Sequence, residues 1–395
     1  MLRTTGENDQ ATMATGRIVA LDRARTLITL LVVIHHSVVN FTYFGNGDRI
    51  RWLGFDLVVL FNDSFFMAFM FLISGLFVHD SLARSGAAGF LRNRAWRLGV
   101  PFLISIFVVM PVAYYASFLR YHLPGTTDFN FFHFWWHTLT IGPWPSGSSW
   151  FLWVLLAFDI IAAAVWSAAP RILSAFGHLI LALRNRPLMA FVAFLVVSVV
   201  SYMPMHLAFG DGAWFQPGHY PLPIQTSRIL LYPAYFFTGV GIGVISLKAG
   251  ILAENGEIAK RWPVWLAFAV LFYGAILLLV YTHHNWMADF DSPALWWKIA
   301  YGLAFAMFSA AMAFTVPATS LRMARSSLGL LDAMQPSAYG IYLLHYVFII
   351  WLQYVVYEAS FAAGVKAAIV FVGTLSGSWA LTVLLRKIPF VARMI

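Results

Sequence analysis

Arg25 and His36 are the first pair of residues whose types and spacing could do chemistry. The run Leu21-Asp22-Arg23-Ala24-Arg25-Thr26 leads directly into Leu27 to Ile34 and then His35-His36. Eleven positions separate Arg25 from His36, which leaves them about 20° apart around a helix and about 16 Å apart along its axis. Arg25, Thr29, Val32 and His36 therefore share a face. His35 is turned about 100° away, so the doublet cannot chelate one metal from one face. His283-His284 fails for the same reason. Asp22 and Arg25, spaced i and i+3, can pair. An arginine at the edge of an apolar helix and an imidazole near its middle could bind an anion and move a proton. A helix-start ion pair and a satisfied interhelical hydrogen bond fit the same spacing. Ionisable groups inside an apolar span cost at least a few kcal/mol, so each is a candidate functional residue.

Other groups of this kind follow. His345 lies about 12 Å into the stretch that begins Pro336-Ser337-Ala338-Tyr339-Gly340, by helix rise. His36 and His345, on two helices running the same way, could line one cavity, or each could be structural. Arg92, Arg94 and Arg97 fall within six residues, Phe90 to Pro101 around them reading as a loop. Such a cluster could clamp a polyphosphate, and topology alone would also put arginines there. Asp159 sits about 15 Å into another apolar run and needs a partner such as Arg120 or Lys298, or a catalytic role. Asp63 lies near the far end of the second run and could face an exported substrate.

The elements that position these groups are membrane spans. The 395 residues are 61% hydrophobic and 10% charged, with a mean hydropathy of +0.76, far outside the range of a soluble domain. With no cysteine, disulfides, thiolate nucleophiles and Cys-ligated metals are excluded, and no metal is expected. Apolar runs of span length fall at 26–44, 57–79, 99–118, 149–169, 187–208, 229–247, 262–282, 295–316, 337–357 and 362–385. Ten spans put both termini on one side, and 19 of the 25 Lys and Arg residues fall on that side, which makes it cytoplasmic. The same bias explains the net charge of +9 without a nucleic-acid partner. The expected fold is an all-α polytopic bundle of about ten helices. Residues 1–16 are expected to form a disordered cytoplasmic N-terminus, and 17–395 a single transmembrane domain in contact with the lipid bilayer. Outer segments 119–148, with His122, Asp128, His133 and His137, and 209–228, with Asp211, Trp214 and His219, interleave aromatic and polar residues. That pattern suits an interfacial belt or stacking on sugar rings.

Taken together the motifs resemble the acyltransferase 3 family of integral membrane acyltransferases. Leu21-Asp22-x-x-Arg25 followed by His36 is similar to its first-helix signature. Phe71-Leu72-Ile73-Ser74-Gly75 resembles its second-helix Ser-Gly motif. Arg94-x-x-Arg97-Leu98-x-x-Pro101 resembles its basic motif, Trp150-Phe151-Leu152-Trp153 the opening of a middle helix, and Ser337-x-x-Gly340-Ile341-Tyr342-Leu343-Leu344-His345 a late helix. Leu385-Arg386-Lys387-Ile388-Pro389 is similar to the end of glucan-succinylating members. Asn93 interrupts a run of arginines seen in some members, and His35 and Asp159 match no family motif. The resemblance implies a cytoplasmic acyl-CoA donor (acetyl-CoA or succinyl-CoA) and transfer to a hydroxyl of a carbohydrate or glycolipid acceptor at the outer side of a bacterial inner membrane. It implies His36, Arg25, Asp22 and His345 in the catalytic set, Arg92, Arg94, Arg97 and Ser74 at the donor, and Asp63, Trp150 and Tyr342 at the acceptor. A homo-oligomer is compatible with this reading. A transporter or flippase for a glycan or lipid would also want buried His, Asp and Arg, and a scaffold without catalysis is the third class.

Overall fold

Long apolar stretches become helices almost throughout the computed structural model, which describes residues 4–121, 129–245, 250–286, 293–323 and 328–395. His122 and Asp128 lie outside the described residues. Helix α1 (Thr4–Val38) is closed by a 3-10 turn at Val39–Phe41, and its apolar span begins at Ala20. Helices α2 (Leu53–Asp63) and α3 (Phe66–Gly75) make one span broken at Ser64-Phe65. Helix α4 (Val78–Arg94) continues through a π-type segment, Ala95–Gly99, into α5 (Val100–Ile104), a second π-type segment, Ser105–Val109, and α6 (Met110–Tyr121). There follow α7 (Phe131–Thr140), α8 (Trp150–Ala168), α9 (Pro170–Ala182) and α10 (Pro187–Phe209). Strands β1 (Trp214–Phe215) and β2 (Ile224–Gln225) pair antiparallel, Trp214 opposite Gln225. A 3-10 turn at Thr226–Arg228 then precedes α11 (Leu231–Val244). The chain closes with α12 (Glu257–Lys260), α13 (Trp262–Trp286), α14 (Leu295–Arg322), α15 (Gly329–Met334), α16 (Ala338–Val356), α17 (Ala363–Leu385) and α18 (Pro389–Ala392).

Among the described residues nine helical segments are long and apolar enough to cross a membrane, and they fall on nine of the ten expected spans. The sixth, 229–247, is α11, only 14 residues long. It is held in the bundle interior by glycine. A Cβ on Gly75 would overlap the carbonyl oxygen of Phe236, and Cβ atoms on Gly239 and Gly243 those of Leu72 and Leu76, so α3 and α11 touch backbone to backbone. In the Ser74-Gly75 pair it is Gly75 that builds this contact.

The segment from Phe90 to Pro101, expected as a loop, is helical. Nothing in it breaks a helix before Pro101, which falls inside the continuous helix just past the π-type segment, where its missing N–H leaves a carbonyl of the preceding turn free. The carbonyl that Pro101 cannot bond is that of Arg97, and it accepts the Tyr339 hydroxyl at 2.5 Å. Pro111 likewise frees the carbonyl of Phe107, which takes the Trp135 indole N–H at 2.8 Å. In an apolar environment each freed carbonyl needs such a donor.

Polar ties set which ends of the helices meet. At one end Arg23 clamps Asp332 with two hydrogen bonds, 2.5 and 2.8 Å, Gln335 donates to Asp22 at 2.9 Å, and Arg386 bonds the carbonyl of Pro336. At the opposite end Arg120 bonds the Gly47 carbonyl, and Lys366 reaches both oxygens of Asp48 at 3.1 Å and the Tyr357 carbonyl at 2.9 Å. Residues assigned to opposite sides by charge thus lie at opposite ends of the bundle. Lys366 and Asp48 are 1% and 3% exposed, so removing one partner strands a buried charge. Lys366→Met is expected to cost about 3–5 kcal/mol, and the double variant Lys366→Met, Asp48→Leu to regain most of it. Thermal unfolding of the purified protein measures both.

Candidate active site

The end of α1, the middle of α16 and the far end of α2 converge on a cavity of about 350 Å³. His36 lies sixteen residues past Ala20 and five before Phe41 within its span, in the half away from the arginine-rich end and not at its middle. The ring of His36 comes within 3.3 Å of His345, Nδ1 to Nε2. The partners fix the tautomers. His345 Nδ1 is 2.6 Å from the Tyr342 carbonyl, and a carbonyl only accepts, so that nitrogen carries the proton and Nε2 is left as an acceptor. His36 Nδ1 is 3.0 Å from the Val32 carbonyl, so it too carries its proton, shared between Val32 and His345. The remaining nitrogen, His36 Nε2, holds a lone pair. Gln353 fixes the helix end beneath it, donating to the His36 carbonyl at 2.9 Å while accepting from Asn40 at 2.6 Å.

His35 lines the same cavity. Its ring stacks on Phe66 at 5.2 Å and meets His36 edge-on at 5.2 Å. The doublet, turned 100° apart, cannot bind one ion from one side, but the cavity wraps the helix and takes both rings. Among the described residues, Nδ1 of His35 is buried without a hydrogen-bond partner.

The far wall carries Asp63, Trp150, Tyr232 and Arg228. Arg228 grips Asp63 with two parallel hydrogen bonds, 3.0 and 2.5 Å, and packs over Phe305 at 5.0 Å. Trp150 stacks on Tyr232 at 5.6 Å and meets Trp214 edge-on at 5.8 Å. The Tyr342 hydroxyl is spent on the Ser148 carbonyl at 2.5 Å. Beyond Arg228, Asp211 accepts from Tyr202 at 2.6 Å and pairs with His206 at 3.1 Å. Burial alone would push the Asp211 carboxyl up. The hydrogen bond from His206 and the charge of Arg228 outweigh burial and hold it below the usual carboxylate range. A depressed value stabilises the fold above the unfolded carboxylate pKa of about 3.9, and that stabilisation is lost as pH falls through the lower folded value. Asp211→Asn is expected to flatten the acid-side fall of the unfolding temperature, read by melting curves below about pH 5.

The expected donor-side residues do not line this cavity. Arg25 pairs with Asp22 at 3.2 Å and lies over the Phe77 ring at 4.3 Å, with Arg94 and Arg97 near enough for their charges to act on it. Arg94 is tied to Asp159 at 3.2 Å. Asp159 thus pairs with Arg94, and not with Arg120 or Lys298, because α8 packs against α4 and its π-type continuation. Arg92 and Arg97 are exposed. The Ser74 hydroxyl donates to the Met70 carbonyl of its own helix at 2.8 Å. Two clusters result: a basic one near the start of the apolar span of α1, and the histidine cavity about 16 Å further along the same helix by rise. Among the described residues no group of three or more His, Cys, Asp or Glu side chains is placed to hold a metal ion.

A bundle of membrane-spanning helices around a cavity lined by His35 and His36 defines a class, the polytopic membrane proteins. The acyltransferase domain of the acyltransferase 3 family matches residues 18–383. The chain belongs to that family and is a multi-pass membrane acyltransferase. No curated protein matches the chain.

Proposed function

We propose that the protein is an O-acyltransferase that moves an acetyl or succinyl group from cytoplasmic acyl-CoA to a hydroxyl of a carbohydrate or glycolipid at the outer face of a bacterial plasma membrane. The observation that carries this reading is the His36–His345 pair, which leaves His36 Nε2 unprotonated inside the cavity. Such a nitrogen is a general base for an attacking hydroxyl. His345 holds the ring in that tautomer and shares the positive charge that forms when Nε2 takes a proton. The basic cluster of Arg25, Arg92, Arg94 and Arg97 suits the phosphates of a coenzyme A thioester. Arg25 is too far along α1 to reach a carbonyl at His36, so its part in this reading is to hold donor phosphate, with Asp22 orienting it. The separation of the two clusters suits an extended pantetheine arm. On the far wall the aromatic faces of Trp150 and Tyr232 and the paired charges of Asp63 and Arg228 suit a hydroxyl-rich, uncharged ring.

The test is thioester consumption by the purified protein. With acetyl-CoA or succinyl-CoA and a glucan oligosaccharide, the free thiol of coenzyme A is expected to appear together with a mass gain of one acyl group on the sugar. A transporter or flippase consumes no thioester, and that outcome overturns the reading. Mass spectrometry of surface glycans and lipids with and without the gene then identifies the acyl group and the acceptor.

A further inference from the structure

Attack on a thioester places negative charge on the carbonyl oxygen, and an enzyme gains most by donating a hydrogen bond there. This inference rests on the acyltransferase reading above, which provides a base but no such donor. Arg25 is tied to Asp22 and Phe77 and lies about 16 Å from His36 along α1. The Tyr342 hydroxyl is spent on Ser148, and the His345 N–H on Tyr342.

Besides Tyr342, hydroxyls of Ser146, Ser148, Tyr232, Tyr114 and Tyr346 line the cavity; Tyr232 stands on the far wall, and Tyr114 and Tyr346 pair with each other beside His36. Their oxygens are 3.3 Å apart. The pair owns two protons and only one can lie between the oxygens, so the other must point elsewhere. Among the described residues neither hydroxyl makes a further hydrogen bond. The Tyr346 ring meets His36 edge-on at 5.3 Å, beside the base. Gly147, at φ 50°, leaves room for that ring: a Cβ there would lie 3.2 Å from Tyr346 Cε1 and overlap Met110 Sδ. We propose that Tyr346 is the oxyanion donor of acyl transfer, with Tyr114 donating to its oxygen and so polarising it.

The step balances as follows. The acceptor oxygen bonds the acyl carbon while His36 Nε2 takes the hydroxyl proton. The carbonyl π pair moves onto oxygen, which accepts a hydrogen bond from Tyr346 without taking the proton. Collapse reforms the carbonyl and breaks the carbon–sulfur bond, and the departing thiolate takes the proton from His36. Thioester and alcohol become ester and thiol.

The experiment measures initial rates of the full-length protein with acetyl-CoA or succinyl-CoA and a glucan oligosaccharide. Tyr346→Phe is expected to lower kcat about 10²–10³-fold, the usual loss for one oxyanion donor, with little change in either KM. Tyr114→Phe leaves Tyr346 its proton and is expected to lose much less. Replacing Tyr346 with 3-fluorotyrosine changes phenol acidity with almost no change in volume, so it separates chemistry from packing: kcat is expected to change while the unfolding temperature stays. An unchanged kcat in either position-346 variant overturns the proposal, as does a Tyr114→Phe loss as large as that of Tyr346→Phe. If those results come with wild-type transfer that His36→Ala abolishes, the oxyanion assignment falls and the acyltransferase reading stands. A wild-type protein that consumes no thioester overturns both.

Discussion

His36→Ala is expected to lower kcat about 10²–10⁴-fold, the range of a lost general base, in a protein that still folds. The expectation of an intact fold comes from what His36 touches. Its Nδ1 bonds a backbone carbonyl and another imidazole, and His36 itself lines a cavity from which water can enter once the ring is gone. The size of the effect also depends on the partner. His345→Ala leaves the His36 N–H on Val32 and removes only the second acceptor, so a smaller loss is expected. His345→Gln supplies a side-chain oxygen that can accept the same N–H and is expected to recover part of that loss. Initial rates ordered wild type, His345→Gln, His345→Ala, His36→Ala support the pair as base and orienter. His36→Ala with full activity overturns the assignment.

How far these relations could be read from the chain differs by kind. Period and length carried the fold: nine spans fall where apolar runs predict them, because a span must satisfy its own backbone and must be about twenty residues long. The same logic failed for α11, whose apolar run reads as span length but holds a 14-residue helix. It also failed for residues 90–101, where charge density reads as loop but the backbone stays helical. In both cases packing decided, through the glycine contact with α3 and through Tyr339 on the Arg97 carbonyl. For the site, the 100° turn between His35 and His36 excludes chelation by one face. It does not exclude two rings reaching one cavity, since that depends on neighbouring helices. Nothing local marks Tyr114 or Tyr346 among 16 tyrosines. Arg228 left a signal of another sort. It is one of six basic residues on the side where the charge rule disfavours them. Arg120, Arg228 and Lys366 of that minority are each held by a specific oxygen, those of Gly47, Asp63 and Asp48. A basic residue that violates the topological bias is one to pair with an acceptor before the structure is seen.

That pairing leads to the second large effect. Arg228 is 2% exposed and Asp63 is 40% exposed into the cavity, so the two halves of the ion pair are not equivalent. Asp63→Asn leaves a guanidinium buried against Phe305 without its hydrogen-bonded carboxylate, with Asp211 acting on it only through its charge, and stranding a buried charge costs about 3–5 kcal/mol. Arg228→Met leaves a carboxylate that cavity water can solvate, so its cost in stability is expected to be smaller. Asp63→Asn is therefore expected to lower the unfolding temperature more than Arg228→Met, and the double variant Asp63→Asn, Arg228→Met to lie above Asp63→Asn alone. Function should separate from stability. If the neutral pair shapes the acceptor wall, Arg228→Met raises the acceptor KM and leaves the acyl-CoA KM in place, because Arg25 and the basic cluster lie on the other side of His36. Melting curves and a two-substrate rate analysis check the two orders independently. Equal destabilisation by the two single variants would mean that Asp63 is as poorly solvated as its partner, and an acyl-CoA KM that rose with Arg228→Met would place the donor on the wall assigned here to the sugar.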